Sequence, residues 1–217
     1  MSELIEKLEE AGLVPVIAIE DAENAVPLAR AFADAGLPLA EITFRTAAAE
    51  DSIRRITSEV PEVLVGAGTV LSVPQVQSAI SAGAKFIVSP GFNPKVVDFC
   101  VENGIAVVPG INNPTGIEMA LDRGLDRVKF FPAEASGGLK MLKAMSAPYG
   151  KVRFMPTGGI KLDNLAEYLS SPMVFAVGGS WVATKELIAK KDFDEIGNLV
   201  REAVAVVRKT RTGMQSV

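Results

Sequence analysis

Several strand-like stretches of the chain carry polar side chains where a core would carry apolar ones. Lys129 lies in Arg127-Val-Lys-Phe-Phe-Pro132. Side chains alternate faces along a strand, so Val128 and Phe130 take one face and Lys129 and Phe131 the other. Val128 and Phe130 suit a layer of helices, which turns Lys129 inward. An ammonium ion is costly among that much apolar surface. The neutral amine is the form that attacks a carbonyl carbon, so the chemistry on offer is Schiff-base formation. An internal ion pair that only neutralises the lysine is the competing reading. Its candidate partner is in Glu41-Ile-Thr-Phe-Arg-Thr46, where Glu41, Thr43 and Arg45 share one face. Glu41 could act as a general base or hold a water that shuttles protons. Arg45, at the end of the run, could clamp a carboxylate through two parallel hydrogen bonds.

Three glycine-containing turns complete the set. Gly66-Ala-Gly-Thr69 offers room for a ligand and a hydroxyl at Thr69, although glycine in a strand also relieves crowding. Thr157-Gly-Gly-Ile160 and Gly178-Gly-Ser-Trp181 resemble a seat for phosphate, in which backbone N–H groups and a helix start face an anion. Tight turns without a ligand are the alternative. The charged groups Glu50-Asp51, Lys140, Lys143 and Lys190-Lys-Asp192 read as solvated helix faces or loops. Trp181 and Met155 read as packing.

Composition excludes other chemistries. There is no histidine among the 217 residues, which removes Ser-His-Asp triads, histidine bases and most zinc sites. The single cysteine, Cys100, cannot form an intrachain disulfide, and no histidine is present to activate it. Net charge is −4, from 22 basic and 26 acidic residues, which argues against nucleic acid or an anionic membrane as partner. Any anionic substrate must be held by local features. The first ten residues are charged and amphipathic, predicting a short helix at about 2–11 and not a signal peptide. No apolar run approaches the ~20 residues of a membrane span. A cytoplasmic protein is expected.

The elements that must position these residues follow from periodicity. Eight apolar, β-branched runs, at 14–19, 39–44, 64–70, 86–89, 106–111, 127–131, 153–155 and 174–177, alternate with helical patterns such as 22–35, 73–82, 94–103 and 115–123. Gly36, Gly83, Gly104 and Gly124 follow those helices as left-handed stops. Strand–helix alternation implies parallel pairing, and eight units close a barrel. One (β/α)8 TIM-barrel domain over 1–217 is therefore expected, with the barrel at about 14–208 and a frayed tail beyond. An open doubly wound sheet would need a glycine-rich turn after the first strand, and Glu20-Asp-Ala-Glu23 is not one.

Six motifs, Glu41-Ile-Thr-Phe-Arg-Thr46, Val65-Gly-Ala-Gly-Thr-Val70, Val88-Ser-Pro-Gly91, Lys129-Phe-Phe-Pro-Ala-Glu134, Pro156-Thr-Gly-Gly159 and Gly178-Gly-Ser-Trp181, occur in register from about Val14 to Arg208. In these the chain resembles the 2-keto-3-deoxy-6-phosphogluconate (KDPG) aldolases of the Entner–Doudoroff pathway, which often also act on 4-hydroxy-2-oxoglutarate. The resemblance implies a class I lyase with Lys129 as Schiff-base lysine and Glu41 as general acid–base. It implies pyruvate contacts at Arg45 and Thr69, with Pro90 and Phe131 lining the pocket. Thr157 would lie near the sugar hydroxyls, and Gly158, Gly159, Gly179 and Ser180 at the phosphate. It implies a homotrimer that needs no metal or other cofactor. One loop departs: Asn113-Pro-Thr-Gly116 stands where the family commonly has Thr-Pro-Thr/Ser-Glu, so a contact from that loop is not carried over. Two readings compete, a phosphosugar isomerase or synthase without covalent catalysis and a non-catalytic phosphosugar-binding barrel.

Overall fold

The structure is a computed structural model that describes residues 2–215. Helix α1 (Ser2–Ala11) leads into strand β1 (Leu13–Ile17). Strand and helix then alternate: α2 (Ala25–Asp34), β2 (Leu39–Thr43), α3 (Ala49–Glu59), β3 (Leu64–Gly68), α4 (Val73–Ser81), β4 (Phe86–Val88) and α5 (Pro94–Glu102). The next run is split into β5 (Ala106–Val108) and β6 (Gly110–Ile111), followed by α6 (Pro114–Leu121), β7 (Arg127–Phe130), α7 (Gly138–Ser146) and β8 (Arg153–Pro156). The chain ends with α8 (Leu162–Leu169), β9 (Val177–Gly179), α9 (Lys185–Ala189) and α10 (Phe193–Gln215).

Three of the helix starts share one physical cause. Ser72, Asn93 and Asn113 accept hydrogen bonds from the N–H groups of Gln75, Lys95 and Gly116, and each is followed within two residues by proline. A side-chain acceptor at the cap and a proline in the first turn, where no N–H is needed, both favour initiation. Asn113 is thus a helix cap. Gly36, Gly83, Gly104 and Gly124 adopt the expected left-handed φ.

All strand pairs are parallel. They form a curled six-stranded sheet in the order β5-β4-β3-β2-β1-β9 and a three-stranded sheet in the order β6-β7-β8. The expected fifth strand breaks at Pro109, so β5 pairs with β4 while β6 pairs with β7. Proline has no N–H for a ladder, but the Pro109 carbonyl still accepts from Lys129 N–H at 2.9 Å. On the other side single bridges, Phe154 to Val174 and Thr157 to Gly178, connect β8 with the β9 segment. The eighth strand therefore sits at Val177–Gly179 and not at 174–177: Val174 makes only its one bridge, and the ladder with β1 starts at Val177.

Helices cover the outer face. The core includes Phe32, Phe86, Phe130, Phe154, Tyr168 and Phe175, all essentially inaccessible to solvent, and each such ring contributes about 1.5–3 kcal/mol of burial. At the N-terminal ends of the strands Glu9 of α1 pairs with Arg153 at 2.7 Å and Arg127 at 3.6 Å. The tail expected to fray beyond 208 is helical through Gln215 as the end of α10, where Arg211 donates to the Phe175 carbonyl at 2.6 Å; its last two residues lie outside the described ones. Among the described residues no helix is long and apolar enough to cross a membrane.

Candidate active site

Lys129 on β7 and Glu41 on β2 come from different sheets and meet across the interior. The Lys129 Nζ lies 3.8 Å from Glu41 Oε1, an ion-pair distance beyond hydrogen-bond reach. Lys129 is 4% exposed and Glu41 0%. Both Glu41 oxygens lack a hydrogen-bond partner. Burial pushes the Glu41 carboxyl above its ordinary 4.5, and the nearby charges of Lys129 and Arg45, which pull it down, are outweighed. The lysine amine also stands 5.3 Å above the Phe131 ring.

The surrounding strands make room for this pair. A Cβ at Gly68 would collide with the Glu41 carboxylate, and one at Gly66 with the Phe86 ring. The space left by these two glycines, expected from the sequence to admit a ligand, is thus already taken by side chains of the protein. Thr69, directly after β3, adopts a left-handed φ of 55°. A β-branched residue there is strained, a condition that clusters at functional sites.

The other candidates lie at or just past the C-terminal ends of strands. Arg45 follows β2 and is exposed at the rim, where its Nε donates to Thr43 Oγ1 at 3.0 Å. Pro90 and Phe131 line a cleft of about 650 Å³ together with Asn113, Gly116 and Met119. Lys129 and Glu41 do not line it. A larger cavity of about 730 Å³, bordered by Lys7, Leu37, Lys85 and Arg208, lies at the opposite, N-terminal end of the strands, far from these groups.

Thr157 is buried after β8, and its N–H donates to the Phe130 carbonyl at 3.0 Å. Its bridge partner Gly178 must lack a Cβ, which would strike the Thr157 hydroxyl. Gly158 and Gly159 have φ of 99° and 84°. Gly179 ends β9 and Ser180 follows it, with the Trp181 ring packed against Gly179. Sequence reasoning missed the support of the Gly158-Gly159 turn. The Glu134 N–H donates to the Gly158 carbonyl at 3.0 Å, and Asn164 Nδ2 to the Gly159 carbonyl at 3.2 Å. Glu134 in turn accepts from the buried Tyr168 hydroxyl, whose own pKa is raised by burial and by that bond. The Lys129-Phe-Phe-Pro-Ala-Glu134 motif held the signal for Glu134; nothing local pointed to Tyr168. Cys100 is buried and remote, its thiol pushed up to about 11 by desolvation.

A parallel α/β fold with a buried lysine beside a carboxyl suits a lyase that works on carbonyl compounds. The family model described as KDPG and KHG aldolase matches residues 4–199, and the chain belongs to that family. It is similar to the 2-dehydro-3-deoxy-phosphogluconate aldolase of Haemophilus influenzae, at 50% identity over 95% of this chain and 97% of the relative. A solved 2-keto-3-deoxy-6-phosphogluconate aldolase from Zymomonas mobilis superposes with a TM-score of 0.88 at 42% identity, covering 94% of this chain and 96% of that one. The KDPG aldolase of Legionella pneumophila, solved with pyruvate captured as a covalent carbinolamine, superposes with a TM-score of 0.89 at 36% identity, covering 92% and 97%.

Proposed function

We propose that this chain cleaves 2-keto-3-deoxy-6-phosphogluconate to pyruvate and glyceraldehyde 3-phosphate through a Schiff base on Lys129. The observation that carries the reading is the buried Lys129–Glu41 pair at 3.8 Å. A nucleophilic amine beside a carboxyl of raised pKa is the acid–base combination that imine chemistry needs near neutral pH. The carbinolamine captured in the Legionella pneumophila relative supports it.

In this reading the Lys129 amine attacks the C2 ketone to give a carbinolamine. Loss of water, with Glu41 moving the protons, leaves an iminium. The C4 hydroxyl gives its proton to Glu41 through water, C4 becomes an aldehyde, and the electrons of the C3–C4 bond flow into the iminium to form an enamine. Glu41 returns a proton to C3, and water then releases pyruvate and the free amine. Every proton moves through protein groups or water, so the reaction calls for no metal or other cofactor. Arg45 and Thr69 hold the keto-acid carboxylate end, and Pro90 and Phe131 form the pocket wall. Thr157 meets the sugar hydroxyls, and the backbone of Gly158, Gly159, Gly179 and Ser180 receives the phosphate. The shorter 4-hydroxy-2-oxoglutarate, giving pyruvate and glyoxylate, uses the same carboxylate end without the phosphate seat.

The same proposal takes β5 and β6 as one strand interrupted at Pro109, so that with the bridges to the β9 segment eight strands close a barrel in one domain. It places the enzyme in the cytoplasm as a homotrimer. The test is to add pyruvate, then borohydride, and to weigh the protein and its Lys129 peptide. A reduced adduct on Lys129 is expected. An unmodified Lys129 overturns the mechanism, with phosphosugar turnover then pointing to an isomerase or synthase and binding without turnover to a binding protein.

A further inference from the structure

Arg45 is exposed at the rim, on a long side chain that would sample many rotamers if left free. Among the described residues its side chain has a single hydrogen bond, from Nε to Thr43 Oγ1 at 3.0 Å. Thr43 is 0% exposed, and its hydroxyl donates to the Ile17 carbonyl on β1 at 2.7 Å. A hydroxyl has one proton and two lone pairs. With its proton committed to Ile17, Thr43 presents only lone pairs on the other side, so it can accept from Arg45 but cannot turn to compete with it. The two bonds run in series from a strand backbone to a rim guanidinium. They tether Nε and leave both terminal nitrogens of Arg45 for a ligand, the edge that binds a carboxylate bidentately.

We infer that Thr43 is a positioning residue that fixes Arg45 to receive the carboxylate of the keto acid, and thereby sets the preference of the site for carbonyl compounds that bear one. The inference rests on the proposed Schiff-base reading. It assigns no chemical step to Thr43. Its effect belongs to recognition, and it acts only through Arg45.

The test measures borohydride trapping on Lys129 as a function of carbonyl concentration, with pyruvate and with acetaldehyde, which lacks a carboxylate. The proteins are the full chain and its Thr43→Val, Thr43→Ser, Arg45→Ala and Thr43→Val/Arg45→Ala variants. Thr43→Val should raise the half-saturating pyruvate concentration about tenfold, ~1.4 kcal/mol, with the limiting trapping rate and the acetaldehyde response unchanged. Thr43→Ser should restore most of the pyruvate response. In the Arg45→Ala background Thr43→Val should add nothing, which a merely structural role would not produce. An equal loss with pyruvate and acetaldehyde, or an additive loss in the double variant, overturns the inference. Should Thr43→Val not fold, Arg45→Ala still decides: unchanged half-saturation with pyruvate overturns it. An unlabelled wild-type chain removes the underlying reading itself, so the two failures are distinguishable.

Discussion

Lys129 and Glu41 face each other from two different sheets, 3.8 Å apart, with neither glutamate oxygen hydrogen-bonded. No hydrogen bond occupies the carboxyl, which suits the proton-carrying capacity proposed for it. Glu41→Gln keeps size and burial but removes that capacity. It should lower kcat by about 10²–10⁴ while borohydride still traps pyruvate on Lys129, though more slowly. Steady-state kinetics and intact mass check both halves, and undiminished kcat would refute the proton-carrier role.

The raised pKa of Glu41 has a consequence for stability. A carboxyl that titrates higher in the folded chain than its ordinary 4.5 holds its proton in the native state where the unfolded chain has lost it. Stability then falls as pH rises from 4.5 through the native value, by up to about 1.4 kcal/mol per pH unit. Below 4.5 the stabilising term is fully present. Urea unfolding of wild type and Glu41→Gln across that range should show wild type losing stability relative to the variant as pH rises. A constant difference would mean that Glu41 titrates normally.

Gly68→Ala places a methyl group against the Glu41 carboxylate. Overpacking of a filled interior costs about 1–3 kcal/mol, and the carboxylate must move away from Lys129. Melting temperature should fall by several degrees and activity by a larger factor. Full activity would show that the pair tolerates displacement.

Gly159 combines a φ of 84° with side-chain atoms of Glu134 where a Cβ would sit. Gly159→Ala should therefore distort the proposed phosphate seat alone. KM for the phosphorylated substrate should rise roughly tenfold or more, whereas trapping of pyruvate on Lys129 should be unchanged. Equal loss in both assays would place Gly159 in general support of the fold.

Cys100 supplies a control. Its thiol is buried and raised to about 11, so little thiolate exists near neutral pH, and the thiolate is the reactive form. Iodoacetamide should leave the native protein unlabelled and active, and label it once unfolded. Rapid native labelling accompanied by inactivation would contradict this.

Much of the site was legible because it breaks the apolar rule of its strands. Lys129 and Glu41 announce themselves as charges inside hydrophobic runs, and strand alternation turns both inward. Alternation also put Thr43 and Arg45 on one face, but it carries no information on the hydrogen bond that joins them. Gly66 and Gly68 were recognisable as space, but what fills that space depends on Phe86 and on Glu41 from the neighbouring strands, contacts that one strand's sequence does not encode. The run 174–177 has the composition of a strand, yet its ladder with β1 begins only at Val177 and runs on through the glycines 178 and 179, which composition alone does not mark as strand. The polar end of α10 reads as a loose tail until Arg211 meets the carbonyl of Phe175, a partner distant in sequence.

The sheet order also constrains synthesis. Strand β1 is paired on one side by β2 and on the other by β9, yet about 160 residues separate the end of β1 from the start of β9. At a typical elongation rate of about 5–20 residues per second, one edge of the first strand leaves the ribosome some 8–32 s before its mate is made. During that interval the nascent chain carries an open, apolar strand edge, the kind of template on which another chain can add. Its need for chaperone cover should therefore be greatest before residue 179 emerges and should lapse soon afterwards.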